Sequence, residues 1–135
     1  MESNKGAIMT LRVVVADDDL GVLEALVAVL DTDDRFTVVA QLSSGAAVLD
    51  AVVAERADVV VLDVRMPVGG LEALRALRAA DLDVVVVVIS ARFDNELVSG
   101  LLEAGACGIL LKGRLGATLP DVLERCCGGE LVLVR

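Results

Sequence analysis

The sequence predicts an α/β fold: a doubly wound, five-stranded parallel sheet, (βα)5, with helices on both faces. Short continuous apolar runs such as Val13-Val14-Val15 and Val59-Val60-Val61-Leu62 have the length and Val-rich composition of strands covered on both sides. Between these runs, apolar residues recur three or four positions apart, the spacing of a helix face. The alternation repeats five times with a period of about 25 residues, the pattern of right-handed βαβ units feeding a parallel sheet.

Residues 1–10 read as a polar N-terminal tail, with Met9 as an alternative start. Arg12 to Ala16 is the first strand and ends in Asp17-Asp18-Asp19. Leu20 to Leu30 carries Leu23, Leu26, Val27 and Leu30 on one helical face, and Asp31-Thr32-Asp33-Asp34 breaks it. Phe36 to Ala40 is the second strand. Ser43-Ser44-Gly45 then punctuates the entry to a helix bearing Val48, Leu49, Val52 and Val53. The third strand runs into Asp63, and Pro67 follows four positions later. Beyond Gly69-Gly70 a helix presents Leu71, Leu74, Leu77 and Arg78. Val84 to Ile89 is the fourth strand, closed by Ser90. A helix from about Asp94 to Glu103 presents Leu97, Val98, Leu101 and Leu102, with Gly105 placed to end it. Ile109-Leu110-Leu111 is the fifth strand, closed by Lys112, and a last helix runs from near Leu119 to Cys127. The expected organisation is therefore a tail (1–10), one domain (11–128) and a C-terminal tail or linker (129–135).

Composition narrows the function. At 135 residues and 56% hydrophobic, the chain can bury a full core without disulfide or metal staples. A net charge of −9 argues against direct nucleic-acid binding, which needs clustered Lys and Arg. No apolar stretch approaches the roughly 20 residues of a bilayer span, and no apolar signal region follows the N-terminus. Three cysteines, with no Cys-x-x-Cys pair, suit reduced, buried thiols in the cytoplasm.

Strand alternation sets Asp17/Asp18, Asp63, Ser90 and Lys112 at one edge, each just past the end of a different strand. In open α/β sheets that carboxyl edge binds ligands. Taken singly, each residue has an ordinary explanation: Asp17–Asp19 as a helix cap, Ser90 as a turn former, Lys112 as a solvated cation. Together they make a different object. Two carboxylates about 4 Å apart repel by about 4 kcal/mol at an effective dielectric near 20, so three converging acids call for a cation. All-oxygen donors without a histidine favour Mg2+, Mn2+ or Ca2+ over zinc. A lysine suited to phosphate and a serine hydroxyl complete the parts of a phosphoryl-transfer site with Asp63 as nucleophile.

These residues, in this order, resemble the response-regulator receiver domain over residues 11–128: Asp17-Asp18 after the first strand, Asp63-x-x-Met66-Pro67 after the third, Ser90-Ala91 after the fourth and Lys112 after the fifth. Gly105 to Gly113 is most similar to the NarL/LuxR-type subclass. The resemblance implies a flavodoxin-like fold in a cytoplasmic, two-component signalling protein. It implies that a histidine kinase phosphorylates Asp63 and that Asp17, Asp18, Asp63 and the backbone carbonyl of Arg65 hold Mg2+. Lys112 would contact the phosphoryl oxygens, Ser90 would swing toward them, and a homodimer could form on phosphorylation. The output surface would be the face made by the helix at 94–104, the strand at 108–111 and the last helix.

The chain departs from the family in three places. Ile109 stands where receivers usually carry an aromatic residue, three positions before the lysine. Met66-Pro67-Val68-Gly69-Gly70 is one residue shorter than the common Met-Pro-x-x-x-Gly. No DNA-binding domain follows Leu131-Val132-Leu133-Val134-Arg135, so the chain is expected to be a receiver excised from a transcription regulator. Arg65 and Arg92 each sit two residues past a site residue and are expected to shield an acyl phosphate from water. The rival readings are a haloacid-dehalogenase-type phosphohydrolase with Asp17 as nucleophile, and a receiver-like adaptor that works without phosphorylation.

Overall fold

The computed structural model describes residues 10–116 and 118–135, so all but Thr10 of the expected N-terminal tail lies outside the described residues. Each expected apolar run forms a strand: β1 (Leu11–Ala16), β2 (Phe36–Leu42), β3 (Val59–Asp63), β4 (Val85–Ser90) and β5 (Gly108–Leu111). Five helices alternate with them: α1 (Leu20–Asp31), α2 (Val48–Glu55), α3 (Gly70–Ala79), α4 (Asn95–Glu103) and α5 (Thr118–Cys127). Every strand pairing is parallel.

The expected count of five strands is corrected to six. Within the stretch read as a tail or linker, β6 (Val132–Val134) pairs with β5, giving the order β2-β1-β3-β4-β5-β6. Helix α5 serves as one more crossover and returns the chain parallel to β5. The backbone N–H of Val132 donates to Cys107 O at 3.2 Å, and the Val132 side chain is buried against the core. Three β-prone residues after Gly128-Gly129 are too few to show a strand period of their own.

Strand alternation divides the core in two. Val13, Val15, Val59, Val61, Val87, Ile89 and Leu110 face α1 and α5, where Leu23, Leu26, Leu30, Leu119, Val122 and Leu123 meet them. Val14, Ala16, Val60, Leu62, Val86, Val88 and Ile109 face α2, α3 and α4, meeting Val48, Val52, Leu74, Leu77 and Leu101. Burial is uneven among the helices. Helix α4 fully buries Leu101 alone, leaving Leu97, Val98 and Leu102 half-buried. Val53, expected on the inner face of α2, is instead exposed: Val48 and Val52 form the inward row, and the next residue turns about 100° away. The three cysteines are free thiols, but only Cys126 is fully buried; Cys107 and Cys127 are half-buried. Desolvation pushes the thiols of Cys126 and Cys127 up to about 11, leaving them protonated near neutral pH.

Short polar caps fix where helices start. Asp19 caps α1 by accepting from Gly21 N and Val22 N, and Asp94 caps α4 by accepting from Leu97 N. Gly105, at φ 105°, ends the α4 turn in a conformation that L side chains rarely adopt. Gly70 opens α3 hard against β3, where a Cβ would lie 2.6 Å from Asp63 O. Gly100, mid-α4, faces open space.

The two glycines therefore respond oppositely to a methyl group. Gly70→Ala is expected to destabilise the fold by about 2 kcal/mol, because backbone rather than a flexible side chain blocks the Cβ. Gly100→Ala should stabilise it by about 0.5–1 kcal/mol through reduced unfolded-state entropy. Thermal melts followed by far-UV circular dichroism check both signs.

Candidate phosphoacceptor and metal site

The order of the sheet reverses between β1 and β3: the chain leaves β1 for β2 on one side and returns to β3 on the other. Helices on opposite faces leave a crevice outside the carboxyl ends of those two strands. The register sets Ala16 opposite Leu62, so Asp17 and Asp63 emerge side by side there.

Asp17 is fully buried, and its N–H donates to Leu42 O at 3.0 Å. Its Oδ1 accepts the Asp19 N–H at 2.8 Å, while Asp19 itself caps α1. The acidic triplet thus divides its labour, with Asp19 capping and Asp17 and Asp18 left for the crevice. Asp18 is exposed. Asp63, the last residue of β3, is 2% exposed. Lys112 leaves β5 and reaches across the crevice: its Nζ lies 3.0 Å from Asp17 Oδ2 and 3.3 Å from Asp63 Oδ1.

One ammonium therefore faces two carboxylates, with a third beside them. Asp17, Asp18 and Asp63 each place an oxygen within 4.8 Å of the others. Burial holds the Asp63 carboxyl above the usual carboxylate range, and the charge of Asp17 adds to the rise, against the Arg65 N–H and Lys112. Burial alone would lower the Lys112 ammonium, but Asp17 and Asp63 outweigh it and raise it. Asp17 Oδ2 is buried, and the Lys112 ammonium at 3.0 Å is the cation it faces. Three carboxylate oxygens within 4.8 Å of one another, against one ammonium, make an all-oxygen donor set that suits a divalent cation of the Mg2+ type.

The other expected residues are less convergent. Ser90 lies one residue beyond the β4 position paired with Asp63. Its hydroxyl is engaged in its own turn, donating to Arg92 O at 2.6 Å and accepting from Arg92 N at 3.1 Å. Arg92 is exposed and its Nη2 sits 3.4 Å from Asp94 Oδ2, directed toward the α4 cap. Arg65 has an exposed side chain, while its backbone N–H supports the Asp63 carboxylate. Ile109 is fully buried on the face of the sheet that packs α2, α3 and α4.

Ser44 and Gly45 were legible in the sequence only as the entry to a helix, but both hold the loop beside the site. Ser44 Oγ donates to Pro67 O at 2.8 Å, and the Gly45 N–H is shared between Pro67 O at 3.1 Å and Val68 O at 3.0 Å. No Cβ fits at Gly45, because Val68 O occupies its place. In this loop Val68 sits at φ 51°, an unusual conformation for a β-branched residue. A contact between two loops leaves no periodic mark in either; the Gly and the missing loop residue were its only signals.

Residues 13–123 match the family model of the response regulator receiver domain. The chain is 32% identical over 124 residues to a nitrate/nitrite response regulator protein homolog of Haemophilus influenzae, covering 91% of this chain and 60% of the relative. It is 38% identical over 121 residues to the response regulator GacA of Pseudomonas viridiflava, covering 89% and 56%. This chain thus spans less than two thirds of the length of those relatives. Among solved structures, the signal receiver domain of a NarL response regulator from Mycobacterium tuberculosis superposes with a TM-score of 0.86 at 34% identity, over 90% of this chain and 98% of that one. The haloacid-dehalogenase-type alternative, with Asp17 as nucleophile, is set aside by this match. Fold, rim geometry and sequence relatives agree: the chain belongs to the response-regulator receiver family, as a two-component receiver domain of NarL/LuxR type.

Proposed function

We propose that Asp63 is the phosphoacceptor and that Mg2+ binds at the carboxylates of Asp17, Asp18 and Asp63 with the backbone carbonyl of Arg65. The observation that carries this reading is the convergence of Lys112 Nζ on Asp17 and Asp63, at 3.0 and 3.3 Å, in a crevice with one more carboxylate at its rim. Bound Mg2+ supplies charge neutralisation for the incoming phosphoryl group. An Asp63 oxygen attacks phosphorus, the bond from phosphorus to the donor histidine nitrogen of a sensor kinase breaks, and an acyl phosphate results. Lys112 pairs with the new phosphoryl oxygens in place of its present share of Asp63. Ser90 must leave its turn with Arg92 to reach them, which ties arrival of phosphate to the segment entering α4.

The whole protein, by this reading, is a cytoplasmic transcription regulator whose DNA-binding domain lies outside the segment described here. The α4–β5–α5 face is the output surface, through which phosphorylation promotes a homodimer. Ile109 offers no aromatic rotamer to report the state of Ser90, so the shift of α4 itself is the readout. Arg65 lengthens the life of the acyl phosphate by screening it from water; Arg92 contributes less, because it must first leave Asp94.

Incubation with phosphoramidate and Mg2+, followed by intact-mass analysis, should give one phosphoryl adduct in the wild type and none in Asp63→Asn. A wild-type protein that takes up no phosphate under these conditions sinks the phosphoacceptor reading. Without metal, the buried Asp63 carboxylate opposes folding, so Asp63→Asn should melt higher than wild type in chelator. Added Mg2+ should raise the wild-type midpoint and move that of the variant far less. Arg65→Ala is expected to shorten the lifetime of the phosphorylated form more than Arg92→Ala, whose exposed ion pair is worth at most about 1 kcal/mol.

A further inference from the structure

We infer that Ser44, on the loop between β2 and α2, is a positioning residue for the metal site: its hydroxyl clamps the β3–α3 loop that carries Arg65. The inference rests on the phosphoacceptor reading and extends it to a residue outside the crevice.

The β3–α3 loop is pinned at its base, where Gly70 N donates to Val64 O at 3.2 Å and Val64 N donates to Ile89 O at 3.1 Å. The buried Met66 side chain anchors its middle in the core. Its tip has no such anchor: Pro67 and Val68 are exposed, and Val68 at φ 51° is held against its own preference. The restraint on that tip comes from across the gap, from Ser44 Oγ on Pro67 O and from the Gly45 N–H on Pro67 O and Val68 O. Between base and tip sits Arg65, whose N–H supports Asp63 and whose carbonyl is the proposed fourth protein ligand. Releasing the tip lets a strained residue relax and pulls on the Met66 anchor beside it, and through Met66 the change reaches the peptide groups of Arg65. A loop one residue shorter than usual has little slack to absorb that motion.

Ser44 has a second task, and chemistry separates the two. Its Oγ also accepts the Ala46 N–H at 3.1 Å, capping the turn that leads into α2. Aspartate is an equally good cap, but it has no proton to give Pro67 O. Threonine keeps both abilities. Ser44→Asp, Ser44→Ala and Ser44→Thr therefore distinguish a loop clamp from a helix cap.

Mg2+ affinity is measured by calorimetry in moderate salt, which screens the added charge of aspartate. Amide hydrogen exchange at Gly45 is followed in the metal-free protein. Ser44→Ala and Ser44→Asp should each weaken Mg2+ binding about fivefold, the equivalent of one hydrogen bond, and speed Gly45 exchange. Their phosphorylation should be slow at limiting Mg2+ and recover at saturation, while Ser44→Thr matches wild type throughout. If Ser44→Asp binds Mg2+ and exchanges Gly45 as the wild type does, Ser44 is a cap only and the inference is overturned. Absence of phosphorylation in the wild type would instead strike the phosphoacceptor reading, leaving the Mg2+ and exchange comparisons to judge Ser44 separately.

Discussion

The excess of negative charge at the meeting of β1 and β3 is the constraint that the rest of the molecule answers. Two buried carboxylates share one ammonium, and a third stands at the rim. At about 4 Å and an effective dielectric near 20, each unbalanced pair opposes folding by about 4 kcal/mol. Stability alone would favour apolar side chains here, because a buried ion pair is commonly no better than its hydrophobic replacement. The Val-rich strands and the two-sided core supply the excess stability that lets the rim stay charged. Asp17 is held in place by the Asp19 N–H at one oxygen and by Lys112 at the other, and the single ammonium it shares with Asp63 leaves the cluster short of positive charge.

The reach of sequence reasoning follows from which features are periodic. Asp17, Asp63 and Lys112 are legible because each terminates a run of β-branched and aliphatic residues, and parallel strands of similar length end at one edge. Asp19 is harder to separate from Asp17 by pattern, since capping and site roles fall on adjacent identical residues; only the direction of each carboxylate distinguishes them. The direction of Ser90 is hidden for a related reason. Its hydroxyl closes on Arg92 through a two-residue turn, a local choice that strand pattern does not encode. β6 and Val53 mark the resolution limit of periodicity itself: three residues make less than two strand periods, and an eight-residue helix has room for one inward row.

The β3–α3 loop shows how a short stretch of sequence carries a strain visible only in space. Val68 adopts a left-handed conformation, and Gly45 must lack a side chain for the loop to close over it. Neither consequence follows from the loop alone. They arise because the tip has to meet a second loop while its base stays fixed by Gly70 under Asp63.

Uneven helix packing supplies the remaining step from site to signal. On one face, α1 and α5 bury most of their inward residues, and Arg35 ties the start of β2 to α5 through Asp121 and Glu124 at 3.1 Å each. On the other face, α4 is secured by one fully buried leucine, Leu101, and begins directly after the Ser90–Arg92 turn. Local stability tracks buried apolar contact, so α4 is among the elements least costly to displace. In the proposed switch, new charge at Asp63 draws Ser90 out of its turn and pulls on the N-terminus of that helix. An aromatic residue at position 109 would have linked the two through its own rotamer. Ile109 is locked in the core, so in the proposed switch the link would run through the backbone between β4 and α4, and the light packing of α4 favours such a link.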